Sequence, residues 1–170
     1  MKIRPEAEQD YPAIEKLIYA AFLNHPHHAP GAQPTEHLIV ARLRQNNAMS
    51  LALVAEDQNQ IAGHIAFSPI SINGQPSQWY GLGPVSVLPS MQNQGIGSQL
   101  IHAGLEILTA RKAAGAVLLG EPEYYQRFGF QAHPHLTLPG VPAEYFLIKP
   151  LTDGADIPQG TAAYDAAFAG

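Results

Sequence analysis

A single α+β domain, built on a mixed, mostly antiparallel sheet with helices on both faces, is what this sequence predicts. Three observations carry that expectation. Near the N-terminus, Ile14, Leu17, Ile18, Ala21 and Phe22 recur at helical spacing. Three apolar runs then follow, Leu51–Ala55, Ile61–Ile70 and Gln78–Leu88, separated only by Glu56-Asp-Gln-Asn-Gln60 and by Asn73-Gly74. Such short connections join antiparallel neighbours, and Asn-Gly is a strong hairpin signal. Beyond them a glycine-containing turn, a long helical pattern and another apolar run form a strand–helix–strand crossover. It makes the strand ending near Leu88 parallel to Ala116–Leu119, with the turn at their carboxyl edge, where open sheets hold ligands.

Taken in chain order, Lys2-Ile-Arg4 reads as a short first strand stopped by Pro5, and Asp10 stands as N-cap of a helix entered through Tyr11-Pro12. Asn24–Pro34 carries three Pro, one Gly, His25, His27 and His28, which is loop chemistry. Thr35 then caps a second helix bearing Leu38, Ile39 and Leu43. After the three-strand meander come a helix over Gly95–Lys112, a buried strand Ala116–Leu119 and a short helix near Pro122–Phe128. Strands are expected around Phe130–Leu138 and Glu144–Ile148, and the Ala/Gly-rich tail from Thr152 is expected to pack as loop. One domain over residues 1–170 accommodates all of this.

Bulk properties narrow the function by exclusion. A net charge of −5 with only 9 Lys+Arg lacks the basic stripe that a phosphodiester backbone requires, so nucleic acid is not an expected partner. The absence of Cys removes disulfides, thiolate metal sites and a cysteine nucleophile. No apolar stretch approaches the roughly 18 residues of a membrane span, and Met-Lys-Ile-Arg-Pro leads into polar residues instead of a signal core. A cytoplasmic protein without a membrane partner is expected.

The most informative segment is Pro89-Ser-Met-Gln-Asn-Gln-Gly-Ile-Gly97, which runs from a proline-interrupted apolar strand straight into a helix. Gly95 and Gly97 let backbone approach a ligand without a Cβ in the way. The first-turn N–H groups of Ile96, Gly97 and Ser98 have no intrahelical acceptor, and a pyrophosphate suits both them and the positive end of the helix dipole. A dinucleotide fingerprint fits less well, because Leu100 stands where its third glycine belongs and the turn follows a meander.

Gln92-x-x-Gly95-x-Gly97 after Val85-Ser-Val87, followed by Tyr124-Tyr125-Gln-Arg-Phe-Gly-Phe130, resembles the GNAT superfamily of acetyl-CoA-dependent N-acetyltransferases over nearly the whole chain. Gly63-His64, Gly83-Pro84 and Gly120-Glu-Pro-Glu-Tyr-Tyr are similar to a bacterial subgroup of predicted acetyltransferases. The resemblance implies acetyl-CoA as cosubstrate, an amine acceptor, no metal, and leaves a homodimer open. It implies that Gln92, Asn93, Gln94, Gly95, Ile96, Gly97 and Ser98 form the turn that grips the pyrophosphate. Val85, Ser86 and Val87 would pair with the pantetheine arm like an added strand. Asn93 departs from relatives that carry a basic residue there, which removes one phosphate contact.

Tyr125 falls where the family keeps the tyrosine that protonates the departing thiolate, in a direct attack of amine on thioester without an acyl-enzyme. His64 and Glu36 are the two candidates for relaying the ammonium proton, directly or through water. Phe128 and Phe130 read as core, with Gly129 in a turn of positive φ. Asn24–Pro34 and Gln75–Gly81, with Trp79 and Tyr80, are the expected acceptor walls. His25, His27 and His28 match no compact metal-ligand spacing and read as a solvated loop. A rival to the enzyme is an acyl-CoA-binding or sensing module that keeps the cradle without the chemistry.

Overall fold

The computed structural model describes residues 1–23, 31–154 and 156–169. The meander emerges longer than the apolar runs alone suggest, as β2 (Leu51–Asp57), β3 (Gln60–Ile72) and β4 (Gln75–Val87). Gln58, Asn59 and Asn73 take the left-handed conformation at the two tight connections, with Gly74 beside the last. Turn residues that tolerate positive φ thus set where the strands reverse. β1 (Lys2–Pro5) adds to the free edge of β2, and β5 (Gly115–Leu119) lies parallel to β4. β7 (Phe146–Pro150) closes the path β1-β2-β3-β4-β5-β7, antiparallel to β5. Every pair but β4–β5 along that path is antiparallel, which is the mixed α+β sheet the sequence predicts.

Strand alternation sends β3 side chains to two buried faces. Ile65 and Phe67 join Leu53, Leu100, Ile101 and Leu105 under α3 (Ile96–Ala110). On the opposite face Val54 packs with Ile14 and Ile18 of α1 (Tyr11–Phe22), and Ala66 with Leu43 of α2 (Glu36–Gln45). Each such fully buried Leu, Ile or Phe contributes about 1.5–3 kcal/mol, so α3 is held mainly by its apolar stripe.

Several local expectations are corrected. Asp10 stands at the N-cap of α1 as expected but makes no side-chain cap; its carboxylate takes the Ala7 N–H (2.8 Å) and the two terminal Arg4 guanidinium nitrogens (2.8 and 3.0 Å). Those Arg4 hydrogen bonds hold the Asp10 carboxyl below its usual range. Thr35 likewise stands at the N-cap of α2 as expected without a side-chain cap, and its N–H donates to the Glu36 carboxylate at 3.1 Å. Leu38 is exposed, whereas Val40 and Leu43 are the buried residues of α2. The strand expected over Phe130–Leu138 shrinks to β6 (Leu136–Thr137) and a bridge from Gln131 to Ile148, because Pro134 has no N–H for a ladder. The tail is not mere loop: β8 (Gly160–Ala163) pairs with β3 at Ser71 and Ile72 and with β6, and a 3-10 turn follows over Ala166–Ala169. Trp79, expected in an acceptor wall, is 3% exposed in a core with Val117, Phe146 and Ile148. Its size is spent on packing against the β5–β7 pair. No helix of the described residues is long and apolar enough to cross a membrane.

Candidate active site

The turn after β4 is built to leave donors free. Gly95 adopts φ +86 at the N-cap of α3, and Asn93 adopts φ +65. Both conformations exclude β-branched and bulky residues, and Asn is among the few non-glycine residues that enter this region readily. That requirement gives a structural reason for Asn93 at this position. Gln92 folds back, its amide donating to the Val87 carbonyl at 3.2 Å, and so closes the turn. At the start of α3 the Gln99 N–H donates to Gly95 O at 3.0 Å, leaving the N–H groups of Ile96, Gly97 and Ser98 ahead of the helical ladder.

Above this turn lies an open cavity of about 720 Å³, lined by Val85, Val87, Gln92, Asn93, Gly95, Ile96, Gly97 and Ser98 together with Met91, Tyr124 and Arg127. A Cβ built on Gly97 would meet only Val87 Cγ2, at 3.7 Å, and one on Gly95 meets nothing within 4 Å. At Gly97 the fold does not need that space, so a side chain there would fill the cradle without breaking the core, whereas at Gly95 the positive φ itself demands glycine. Arg127 is the cation that sequence reasoning missed. Its guanidinium stacks 4.4 Å from the centre of the Tyr124 ring while its Nε donates to Tyr124 O at 2.9 Å. The i,i+3 spacing of Tyr124 and Arg127 on one short helical stretch was the available signal.

A second cavity, about 360 Å³, meets the first at Val85 and Tyr124 and opens between the two parallel strands. The β4–β5 ladder pairs Trp79 with Gly115, Tyr80 with Ala116 and Gly81 with Val117, then ends. Just beyond, two steps of β3 (Ile65 to Phe67) oppose three of β4 (Leu82 to Val85), a bulge at Gly83-Pro84. The strands therefore part, and the side of β4 facing away from β3 has no strand partner from Leu82 to Val87 among the described residues. Ser86 lies beside His64 on β3 with its side chain buried, whereas Val85 and Val87 line the cavities.

Tyr125 sits in this cleft, carried by α4 (Pro122–Tyr125). Its ring packs edge-on to Tyr124 (4.9 Å between centroids) and Phe130 (6.3 Å), with Phe128 at 6.2 Å. A Cβ on Gly120 would collide with this ring, so the glycine lets α4 fold back close to the end of β5. Phe128 and Phe130 are 4% and 1% exposed, and Gly129 takes φ +90. The Tyr125 hydroxyl makes no hydrogen bond within the described residues. Burial, aided by neighbouring Tyr124, pushes its pKa up to about 12.

The two proton-relay candidates lie elsewhere. His64 is 0% exposed, and its Nε2–H donates to Glu6 Oε1 at 2.9 Å. Arg44 completes the group through two bonds to the same carboxylate, at 2.8 and 3.1 Å, while stacking on Tyr11. Burial alone would raise the Glu6 carboxyl, but the hydrogen bonds from His64 and Arg44 outweigh it and hold it below the usual range. Glu36 is half-buried at the start of α2, joined to Thr35. Neither is among the described residues lining the cleft. Of the expected acceptor walls, residues 24–30 lie outside the described residues, and with them His25, His27 and His28. Among the described residues no group of three or more His, Asp or Glu is placed to hold a metal ion.

Comparison with known proteins agrees with this geometry. A family model described as an acetyltransferase (GNAT) domain matches residues 2–132. The uncharacterized N-acetyltransferase YhbS of Escherichia coli K12 is 35% identical over 136 residues, which cover 79% of this chain and 76% of that protein. Among solved structures, a GNAT family acetyltransferase from Brucella melitensis in complex with acetyl-CoA is 45% identical, with a TM-score of 0.84 and coverage of 98% of this chain and 97% of its own. The Escherichia coli YhbS structure in complex with CoA is 32% identical, with a TM-score of 0.89 and coverage of 99% and 92%.

Proposed function

The chain belongs to the GNAT acetyltransferase family, and from that premise we propose that it carries the acetyl group of acetyl-CoA to the nitrogen of an amine by direct attack, with both substrates bound. The two relatives solved with acetyl-CoA and with CoA support the choice of donor. The open cradle suits its pyrophosphate: Gln92, Asn93, Gln94 and Gly95 shape the turn, while the N–H groups of Ile96, Gly97 and Ser98 and the Arg127 guanidinium supply donors and positive potential. The unpaired edge at Val85, Ser86 and Val87 leads from there to the cleft, in reach of a pantetheine arm. In the reaction the ammonium first gives a proton to water at the open mouth; the freed lone pair forms the C–N bond, the C–S bond breaks with coenzyme A leaving as thiolate, and the second nitrogen proton passes to water.

One observation carries the reading: a half-buried tyrosine lining the cleft whose hydroxyl makes no hydrogen bond among the described residues. With no partner in the protein to give up, this donor is available to a group that binds in the cleft. Burial in the cleft favours the protonated phenol and pushes its pKa up to about 12. Tyr125 therefore acts as a hydrogen-bond donor to the sulfur as charge grows there, remaining protonated itself. Thiol release from acetyl-CoA, followed with a panel of amines, tests the proposal. Acceptor-dependent release with formation of the N-acetyl product supports it; tight binding of acetyl-CoA without turnover across the panel would leave the sensing module instead.

A further inference from the structure

Resting on the acetyl-transfer reading above, we propose that the acceptor is a primary amine that arrives as a cation on an apolar body, and that Glu121 meets its ammonium group. The cleft around Tyr125 is walled by Phe22, Leu82, Pro84, Val85, Leu119 and Tyr124, and Glu121 is the single charged side chain among the described residues lining it. Its main chain is fixed, because Glu121 O accepts the N–H groups of Tyr124 and Tyr125 at 3.1 Å each. Its carboxylate, by contrast, makes no hydrogen bond or ion pair within the described residues and is exposed. Next to it Leu119 is 47% exposed, a large apolar side chain left at the end of β5 where the cleft opens. An uncommitted carboxylate beside an uncovered apolar wall is complementary to an ammonium on a hydrocarbon or aromatic body. Among its described residues no Lys, Arg or His lines this cleft, so that lining gives no counter-charge to an acceptor carrying its own carboxylate or phosphate beside the amine, and Glu121 opposes it.

Glu121 serves recognition: its exposed carboxylate at the cleft attracts the ammonium by charge and holds the acceptor there. Its effect therefore falls on KM. The test uses three amines sharing one ring: 2-phenylethylamine, a cation; aniline, neutral at neutral pH; and phenylalanine, with a carboxylate next to the amine. Wild-type kcat/KM is expected to favour 2-phenylethylamine over phenylalanine by about 10-fold or more. Glu121→Gln should raise KM for 2-phenylethylamine by about 10-fold with its kcat nearly kept, and Glu121→Lys should turn the preference toward phenylalanine. Equal use of 2-phenylethylamine and phenylalanine, or an unmoved KM in both variants, overturns the inference. So does a loss confined to kcat with an altered pH profile, which would make Glu121 a proton acceptor. Calorimetry with acetyl-CoA on each protein separates these results from failure of the broader reading. If acetyl-CoA binds and no amine in a wide panel releases thiol, acetyl transfer itself fails and the inference falls with it.

Discussion

Replacing Tyr125 by Phe removes one oxygen and leaves the aromatic cluster intact. The ring contacts to Tyr124, Phe128 and Phe130 persist, and the lost hydroxyl has no hydrogen bond in the protein to break. Folding stability should therefore change by less than about 0.5 kcal/mol, as for substitutions that disturb no packing or polar network. Turnover should not escape so lightly. A hydrogen bond to a charged group contributes about 1.5–3 kcal/mol, and in the cleft that bond forms fully only as the thiolate departs. The expected loss in kcat is roughly 10- to 150-fold, with KM for acetyl-CoA nearly constant. Because burial holds the phenol near 12, it keeps its proton throughout ordinary assay conditions. The wild-type to variant ratio of kcat should thus be flat between about pH 6 and 10. Initial rates of thiol release at saturating acetyl-CoA, measured across that range beside a urea melt, provide the assay. A ratio below about 3, or one that collapses above about pH 9, would refute the reasoning.

Three further outcomes follow from the same geometry. Arg127→Gln should weaken acetyl-CoA binding by about 10-fold at low salt and flatten its salt dependence, as titration at two ionic strengths will register; unchanged affinity would remove Arg127 from the cradle. His64→Ala strips one hydrogen bond from the buried Glu6 carboxylate and should cost about 1–3 kcal/mol in chemical denaturation, whereas stability preserved within about 0.5 kcal/mol would contradict a structural Glu6–His64–Arg44 group. Burial pushes the phenols of Tyr125 and Tyr164 upward, so the folded state keeps protons that the unfolded chain releases near pH 10. Stability is full below that point and falls as pH rises toward the folded values; a thermal midpoint flat from about pH 9 to 11.5 would refute this.

How much the sequence disclosed depends on the range of the forces involved. The cradle was legible because its determinants are local: positive φ at Gly95 demands glycine, and Asn73-Gly74 demands a reversal between apolar runs. The proline interruption at Gly83-Pro84 was visible, but that it makes a bulge of β4 against β3 was not read from it. The tail was not legible. Gly-Thr-Ala-Ala has little strand propensity, and β8 exists because Ser71 and Ile72 of β3 offer it an edge some ninety residues away in sequence. Alternation put His64 on a face but could not say what covers that face, which turns out to be Glu6, 58 residues before it. Trp79 was expected in an acceptor wall, yet the small Gly115 opposite it on β5 admits its ring to the core. Glu121 stood inside a motif already singled out; its isolation as the cleft's charge became visible only when the lining residues were assembled in space.

The most direct measurement is a calorimetric titration of acetyl-CoA into the wild-type protein and into Gly97→Val. A Cβ at this position meets only the end of Val87, at 3.7 Å, so the variant should fold while its side chain occupies the space in front of the first-turn N–H groups. Saturable binding by the wild type, weakened about 10-fold or more in the variant with its thermal midpoint retained, is the predicted result. No binding at millimolar thioester, or equal affinity in the two proteins, would contradict it.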